Sequence, residues 1–175
     1  MLRVMPPPSL QLQSVLEAFG RQGWQCEVVE GREVVETGFE AHHTHVHLLA
    51  QVFPELNALA VVGETPVHIE AGHQPAALEL LMRANKQLTL GAFEYDLDRG
   101  QLVFRITNLF ERERFDADIV SSMVHCTIAE TDRLAPLIVH LARTPADELH
   151  DLSLPLLLDR EDLLPPLPGG EEEEL

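Results

Sequence analysis

The sequence predicts an α+β domain built on an antiparallel sheet. The main observation is the stretch 75–110, which reads PAALELLMRANKQLTLGAFEYDLDRGQLVFRITNLF. Its first half clusters apolar residues at helical spacing, and its second half alternates apolar and polar residues on both sides of a turn rich in Asp and Gly. Short β-prone segments with brief connections precede this stretch, and such spacings favour antiparallel neighbours.

The first predicted helix follows an extended, proline-rich lead over residues 1–8. Ser9 can cap this helix, because its hydroxyl can accept a hydrogen bond from the first helical turn. Gly20 and Gly23 end it. Apolar β-prone residues then recur in segments separated by turn residues. The predicted strands are residues 24–30, 33–41, 43–53 and a short apolar segment at 58–64.

A second helix is predicted over residues 74–88 and leads directly into a β-hairpin. Residues 96–100 form the hairpin turn, since Asp and Gly favour the backbone conformations that tight turns require. Successive side chains of a strand point to opposite faces, so alternate residues share a face. On the first hairpin strand these residues are Phe93, Tyr95 and Leu97.

The last helix is predicted to begin near Asp116, which can cap it. An apolar stripe continues from Ile119 to Leu141. Pro136 predicts a kink or a split near residues 131–132, because proline removes one helical hydrogen bond.

The chain divides into the lead, a single α+β domain over residues 9–143, and a Leu/Pro-rich acidic tail over residues 144–175. From residue 145 onward the tail holds ten acidic residues and one arginine. We expect residues 165–175 to be solvated and partly disordered. The leucines of residues 149–164 leave two interpretations open, packing on the body of the domain or binding a partner.

The composition argues against two classes of partner. The chain of 175 residues has a formal net charge of −17, which repels phosphate backbones and anionic lipid surfaces. We therefore expect no nucleic-acid and no membrane partner. The apolar runs are shorter than a membrane span, and the N-terminus lacks an apolar signal region. Two cysteines without a Cys-x-x-Cys pair are typical of a reduced, cytoplasmic protein.

A histidine cluster is the most distinctive candidate for chemistry. His43, His45 and His47 alternate along the third predicted strand, so they would share one face at about 6–7 Å per step. Neutral imidazoles could share zinc, copper or nickel, although a tetrahedral shell would need a ligand from another strand. The alternatives are a polar outward face, with Val46 and Leu48 pointing inward, and a pH-sensing role.

No motif for catalysis is found in the sequence. It contains no GxSxG, no P-loop, no GxGxxG after a strand and no calcium-binding loop. Carboxylate pairs are so frequent in an acidic chain that none of them stands out. We predict that the protein is not an enzyme and uses no cofactor, with an uncharacterised enzyme as an alternative.

The predicted elements are a helix, three or four strands, a helix, two strands and a long helix. This matches the α-β-β-β-α-β-β-α order of the type III secretion chaperone-like fold. Within that fold the chain resembles the YbjN family, described as putative bacterial sensory transduction regulators. The resemblance depends on Asn85 at the end of the second helix, Gly91 before the hairpin, the acidic turn that follows, and Val103-Phe104-Arg105 on the second hairpin strand. It covers roughly residues 9–143 and carries no catalytic residues.

The resemblance implies a non-enzymatic module, because chaperones of this fold dimerise and hold an extended segment of another protein. We therefore predict a cytoplasmic protein-binding or regulatory homodimer whose partner is another protein or peptide segment. Two alternatives are a metal-binding protein that uses the histidine strand and a tail that covers the binding groove as a self-ligand. The predicted partner-binding residues lie on the apolar face of the last helix: Val120, Met123, Val124, Leu137 and Leu141.

Overall fold

The computed structural model describes residues 7–165 and residue 167. Six antiparallel strands form one sheet in the order β1-β2-β3-β4-β6-β5, which confirms the predicted α+β class. The strands are β1 (Glu27–Val28), β2 (Val34–Glu40), β3 (His45–Phe53), β4 (Ala58–Glu64), β5 (Ala92–Asp96) and β6 (Gln101–Leu109). The helices are α1 (Leu10–Gln22), α2 (Gln74–Gln87), α3 (Ala117–Arg143) and α4 (Leu154–Asp159).

Helix α1 begins and ends through local side-chain and backbone chemistry. The Ser9 hydroxyl accepts a hydrogen bond from the backbone N–H of Leu12 at 3.0 Å, as a helix cap does. Gly23 ends the helix in the left-handed conformation with φ of 72°, which glycine adopts at little cost. Gly20 lies inside the helix, so only the second of the two predicted glycines ends it.

The strands alternate between two faces, and helices cover one of them. The covered face packs against α1, α2 and α3 in one apolar core, and its fully buried residues come from every strand except the two-residue β1. Helix α3 passes so close to β4 that a Cβ at Gly63 would collide with the side chains of Thr131 and Thr127. Buried strand residues of this core are Val35, Leu48, Ala50, Leu59, Val61, Phe93, Leu102 and Phe104.

Helix α3 is one continuous helix of 27 residues with Pro136 inside it. The predicted split near residues 131–132 is therefore wrong. Proline removes a single hydrogen bond, to the carbonyl four residues earlier. Burial of Leu134, Leu137 and Ile138 on both sides of the proline holds the helix against the sheet across that gap.

Several predicted strand segments are shorter in the structure, most of all the first one. The segment 24–30 contributes only Glu27–Val28, because the backbone N–H of Trp24 is bonded to the carbonyl of Phe19 at the end of α1. Leu97 does not share the face of Phe93 and Tyr95. The Asp96 carboxylate accepts hydrogen bonds from the backbone N–H groups of Asp98 and Arg99, and Leu97 leaves the strand with 70% of its surface exposed.

The predicted partner-binding residues of α3 lie in the core of this chain. All five are at most 4% exposed and face the chain's own sheet. An apolar helical stripe is equally typical of a core face and of a binding face, and the sequence does not distinguish them. A partner cannot reach these side chains while α3 is packed, so a binding face must lie elsewhere on the molecule. The five buried residues are Val120, Met123, Val124, Leu137 and Leu141.

The first part of the predicted tail packs on the body of the domain. Leu154 and Leu158 of α4 join the apolar core, and neighbouring leucines are partly buried against it. Most of the predicted lead, residues 1–6, and most of the predicted solvated end, residues 166 and 168–175, lie outside the described residues. Within the described part of the chain, no helix is long and apolar enough to cross a membrane.

Candidate binding site on the open face of the sheet

The face of the sheet opposite the helices forms an open cavity of about 840 Å³. Every residue that lines it belongs to a strand or to the turn between two strands, so no described helix contributes to its walls. The cavity spans β2, β3, β4, β6 and β5 in their order across the sheet. Large concave surfaces of this kind are the usual places for ligand or partner binding.

The floor of the cavity is apolar and belongs to the central strand. Val62 of β4 lines the cavity, and Ala60 lies two residues earlier on the same face of that strand. Val62 lies between Leu49 of β3 and Arg105 of β6 in the sheet register. Val103 adds a further apolar side chain beside Glu64. The result is an apolar strip with no helix above it.

A chain of charged side chains crosses one end of this strip. Arg99, in the hairpin turn, donates to both carboxylate oxygens of Glu64, at 2.6 and 3.2 Å. The His47 ring lies between two carboxylates, with Nδ1 3.2 Å from Glu64 and Nε2 3.0 Å from Glu36. His47 and Glu64 are direct cross-strand neighbours, so the β3–β4 register brings them together. We call these four residues the charged network.

The charged network shifts the pKa values of its members. Partial burial lowers the pKa of His47, but hydrogen bonds and charges from Glu64 and Glu36 outweigh it and raise that pKa above its ordinary value. Burial raises the pKa of Glu64, but Arg99 and then His47 hold it below its ordinary value. A protonated His47 can donate to both carboxylates at once. The network is therefore most complete when His47 carries a positive charge.

Further charges form the rim of the cavity. Arg105 of β6 donates to the Glu94 carboxylate on β5 at 3.0 Å, and both side chains are exposed. Arg32 and Glu33 line the opposite end, in the turn between β1 and β2. The open face thus has an apolar centre and a rim of both charge signs. A rim of this kind can orient a partner that carries charges of its own.

The structure separates the predicted metal-binding histidines. His45 and His47 lie on the open face of β3, as the alternation predicts, but His43 lies in the turn before the strand. The His45 ring is 2.6 Å from Glu40, and His47 is bonded inside the charged network. Val46 and Leu48 are buried on the other face. Among the described residues, no group of three or more His, Cys, Asp or Glu side chains is arranged to hold a metal ion.

The charged network offers little to an acid–base mechanism. Both ring nitrogens of His47 are engaged by carboxylates, so neither is free to take a proton from a bound molecule. No Ser, Thr or Cys side chain of the described residues is hydrogen-bonded to His47, so the ring has no nucleophile to activate.

Asn85 and Gly91 form the junction that carries the family resemblance, and both have structural roles. The Asn85 amide accepts from the N–H of Phe93 at 2.6 Å and donates to its carbonyl at 3.0 Å. It therefore occupies the free edge of β5, where another strand could otherwise pair. Gly91 has φ of 72°, and a Cβ there would collide with the ring of Phe104.

Most of the charged network is not evident from the sequence. The histidine pattern indicates His47 as a possible metal ligand, but no pattern indicates Glu36 or Arg99. The one available signal was Glu64, a charged residue at the end of an otherwise apolar strand. Arg99 gave no signal, because only the fold of the hairpin turn brings it over β4.

Solved structures with a similar fold contain proteins bound to partners. One is titled as the structure of the HopA1-SchA chaperone-effector complex, with 12% identity, a TM-score of 0.50, and coverage of 71% of this chain and 91% of that chain. Another is titled as the crystal structure of the ExsC-ExsE complex, with 14% identity, a TM-score of 0.52, and coverage of 77% and 95%. At these identities the likeness shows the fold alone.

The search of curated proteins found no significant match. The family model that matches is YbjN, described as "Putative bacterial sensory transduction regulator", and it covers residues 11–139. That range runs from the first turn of α1 almost to the end of α3 and includes every strand of the sheet. The chain therefore belongs to the YbjN family.

Proposed function

We propose that this protein is a non-enzymatic regulatory or chaperone-like module that holds an extended segment of another protein on the open face of its sheet. The observation that carries this proposal is the apolar strip of Leu49, Val62 and Val103 on the open face, which no described helix covers. Leu49 is half-buried, and flanking side chains cover most of the other two. An apolar surface bounded by polar residues is typical of protein-interaction sites. The similar solved structures add support, because one of them is titled as a chaperone–effector complex.

The arrangement of the site favours a partner that lies across the face of the sheet. Pairing along the edge of β5 is obstructed, because Asn85 already bonds the outward N–H and carbonyl of Phe93. On the face, Leu49, Val62 and Val103 offer apolar contacts. An extended segment with alternate apolar side chains could place one row on this strip and turn the other toward solvent.

The charges on the rim of the cavity indicate which charges the partner segment carries. Arg99 and Arg105 stand on the β6 side of the strip, each engaged by a carboxylate of this chain. A partner with acidic side chains could compete for these guanidinium groups, while basic side chains could meet Glu36 and Glu94. The segment we propose is therefore apolar on one face and mixed in charge, and it is not a polyanion such as nucleic acid.

A peptide selection tests this proposal directly. Full-length protein is immobilised and used to select from a phage-displayed random-peptide library. The same selection uses Leu49→Glu, which places a charge on the strip, and the control Leu56→Glu, at a residue 64% exposed in the turn after β3. We expect peptides that bind wild type and Leu56→Glu but lose about tenfold or more in affinity for Leu49→Glu.

Two outcomes of the selection contradict the proposal. One is that no peptide is enriched on the folded wild-type protein. The other is that Leu49→Glu and Leu56→Glu bind the selected peptides equally well. Where peptides are found, affinity capture from the native cytoplasm with the same three proteins identifies the physiological partner, since only the Leu49→Glu variant should fail to retain it.

The proposed module is a cytoplasmic homodimer. Support for the cytoplasmic location comes from the two cysteines, Cys26 and Cys126, which are both free thiols. The homodimer is what the resemblance to chaperones of this fold implies. Size-exclusion chromatography with multi-angle light scattering measures the oligomer directly. A monomer at micromolar protein concentration would contradict the dimer and leave the peptide-binding proposal intact.

A further inference from the structure

Residues 149–164, which we call the leucine strap, lie outside the part of the chain that matches the family. The family match ends at residue 139, shortly before the end of α3, and the strap follows after an exposed connection. Even so, Leu154 and Leu158 of the strap are buried with the core of the domain. The family domain therefore has an apolar surface that this chain covers with its own tail.

The covered surface lies on the helical side of the molecule, away from the open face of the sheet. Helix α4 of the strap packs against α2, and the Gln87 side chain at the end of α2 donates to the Asp159 carboxylate at 3.3 Å. The chain is anchored shortly before the strap, because a ring nitrogen of His73 lies 2.7 Å from the carbonyl oxygen of Thr144. Between these two points the connecting residues 145–148 are exposed.

The attachment of the strap is mostly apolar and small. Within the described residues, Gln87–Asp159 is the one side-chain hydrogen bond between the strap and the rest of the chain. The Arg160–Asp162 ion pair is internal to the strap. A helix of six residues is too short to be stable without the surface beneath it. The strap is therefore held mainly by apolar contacts, with Leu154 and Leu158 buried most deeply. Its other contacts with the core are partly buried: Leu149, Leu152, Leu157 and Leu164.

We infer that the leucine strap is a detachable ligand in cis, and that the α2 surface beneath it binds a short helix of another protein. The strap itself shows which chemistry fits: leucines at the spacing of Leu154 and Leu158, and an acidic residue where Asp159 meets Gln87. Such a partner displaces the strap and places equivalent side chains in the same positions. This binding surface is separate from the open face, so it does not depend on the function proposed above.

A trans-peptide experiment on the full-length protein tests this inference. The probe is a fluorescent synthetic peptide of residues 149–165. The variant Leu158→Asp weakens the strap in cis, and Leu156→Asp is the matched control, because Leu156 lies in the same helix with 49% of its surface exposed. The strap has a short tether and hence an effective concentration in the millimolar range, so wild type should exclude the peptide.

We expect Leu158→Asp to bind the peptide about tenfold or more tightly than wild type or Leu156→Asp. A peptide with Asp in place of both buried leucines should not bind. Far-UV circular dichroism and Trp24 fluorescence establish that the variants are folded. If folded Leu158→Asp binds the peptide no better than wild type, the inference is overturned.

Hydrogen exchange on the wild-type protein gives a second test that needs no variant. The backbone amides of α4 should exchange through a local opening, much faster than the amides of α2 and α3. The inference also fails if α4 exchanges only together with the core, because the strap would then be a permanent part of the fold.

Discussion

Side chains on the two faces of the sheet are shielded from solvent in different ways. On the covered face, Leu48, Val61 and Phe104 are shielded by helices and are completely buried. On the open face, Val62 and Glu64 are also buried, at 8% and 6% exposure, although the cavity above them is lined only by strands and turns. Longer side chains of the flanking strands shield them there.

The difference separates the part of the molecule that holds the fold from the part that can change partners. Apolar packing under a helix is lost only when the helix moves, whereas Arg105, whose ion pair with Glu94 is exposed, can exchange its partner without disturbing the backbone. Exposed ion pairs contribute little to stability, so exchanging them for a partner costs little. We expect substitutions on the two faces to differ in the same way.

The largest expected effect comes from the covered face. Phe104→Ala should lower the free energy of unfolding by about 3–5 kcal/mol, because it leaves a cavity in the core. Leu109→Ala, on the same strand but 71% exposed, should change it by less than about 0.5 kcal/mol. Urea denaturation measures both variants. Similar losses for the two would show that the helices do not protect β6 as described.

The edge of the sheet should give the next largest effect. Asn85→Ala removes two hydrogen bonds to the backbone of Phe93, at about 0.5–1.5 kcal/mol each. It also frees the edge of β5 for pairing with another chain, so we expect concentration-dependent association. Chemical denaturation and light scattering test this, with the exposed neighbour Lys86→Ala as the control. An unassociated Asn85→Ala protein of unchanged stability would refute the blocking role of the amide.

Within the open face, the buried carboxylate should matter more than the exposed one. Glu64→Gln removes the charge that Arg99 and His47 share and should cost about 1–2 kcal/mol of stability. Glu94→Gln breaks the exposed pair with Arg105 and should cost less than about 1 kcal/mol. Thermal denaturation ranks them. The reverse order would mean that the charged network is not the main polar support of this face.

The smallest expected effect is the pH dependence from His47. Its pKa is raised in the folded state, so protonation favours folding. This stabilisation is fully present below the unfolded pKa, about 6.5, and is lost as the pH rises through the folded pKa. The ring is 39% exposed, which limits the effect to less than about 1 kcal/mol.

NMR titration of the His47 ring checks both the direction of the shift and its cause. Glu64→Gln should lower the measured pKa, while Glu94→Gln should leave it unchanged. A wild-type value at or below about 6.5 would show that the carboxylates do not outweigh burial at this position.

Much of the fold could be predicted, because local pattern and local structure coincide in this chain. The Ser9 and Asp116 caps, the strand at residues 58–64 and the helix-to-hairpin stretch all depend on neighbours in sequence, and the structure has them close to where they were predicted. The errors occurred where local signals compete with packing. Pro136 favours a break, but burial on both sides of it keeps α3 continuous.

The candidate site could not be predicted in the same way. The alternation of β3 places His45 and His47 on one face, but it gives no information about which residues face them from β2 and β4. The five α3 residues expected to bind a partner show the same limit, since an apolar stripe does not reveal whether it is covered by its own sheet.

The sequence by itself determined the order of helices and strands as far as α3, the apolar face of each of these elements, and the junction formed by Asn85 and Gly91. These depend on periodicity and turn chemistry, which act over a few residues. Only the tertiary structure decided that Arg99 meets Glu64, that His47 lies between two carboxylates, and that the leucine strap returns to α2. Those contacts depend on strand register and sheet order, which join residues far apart in the chain.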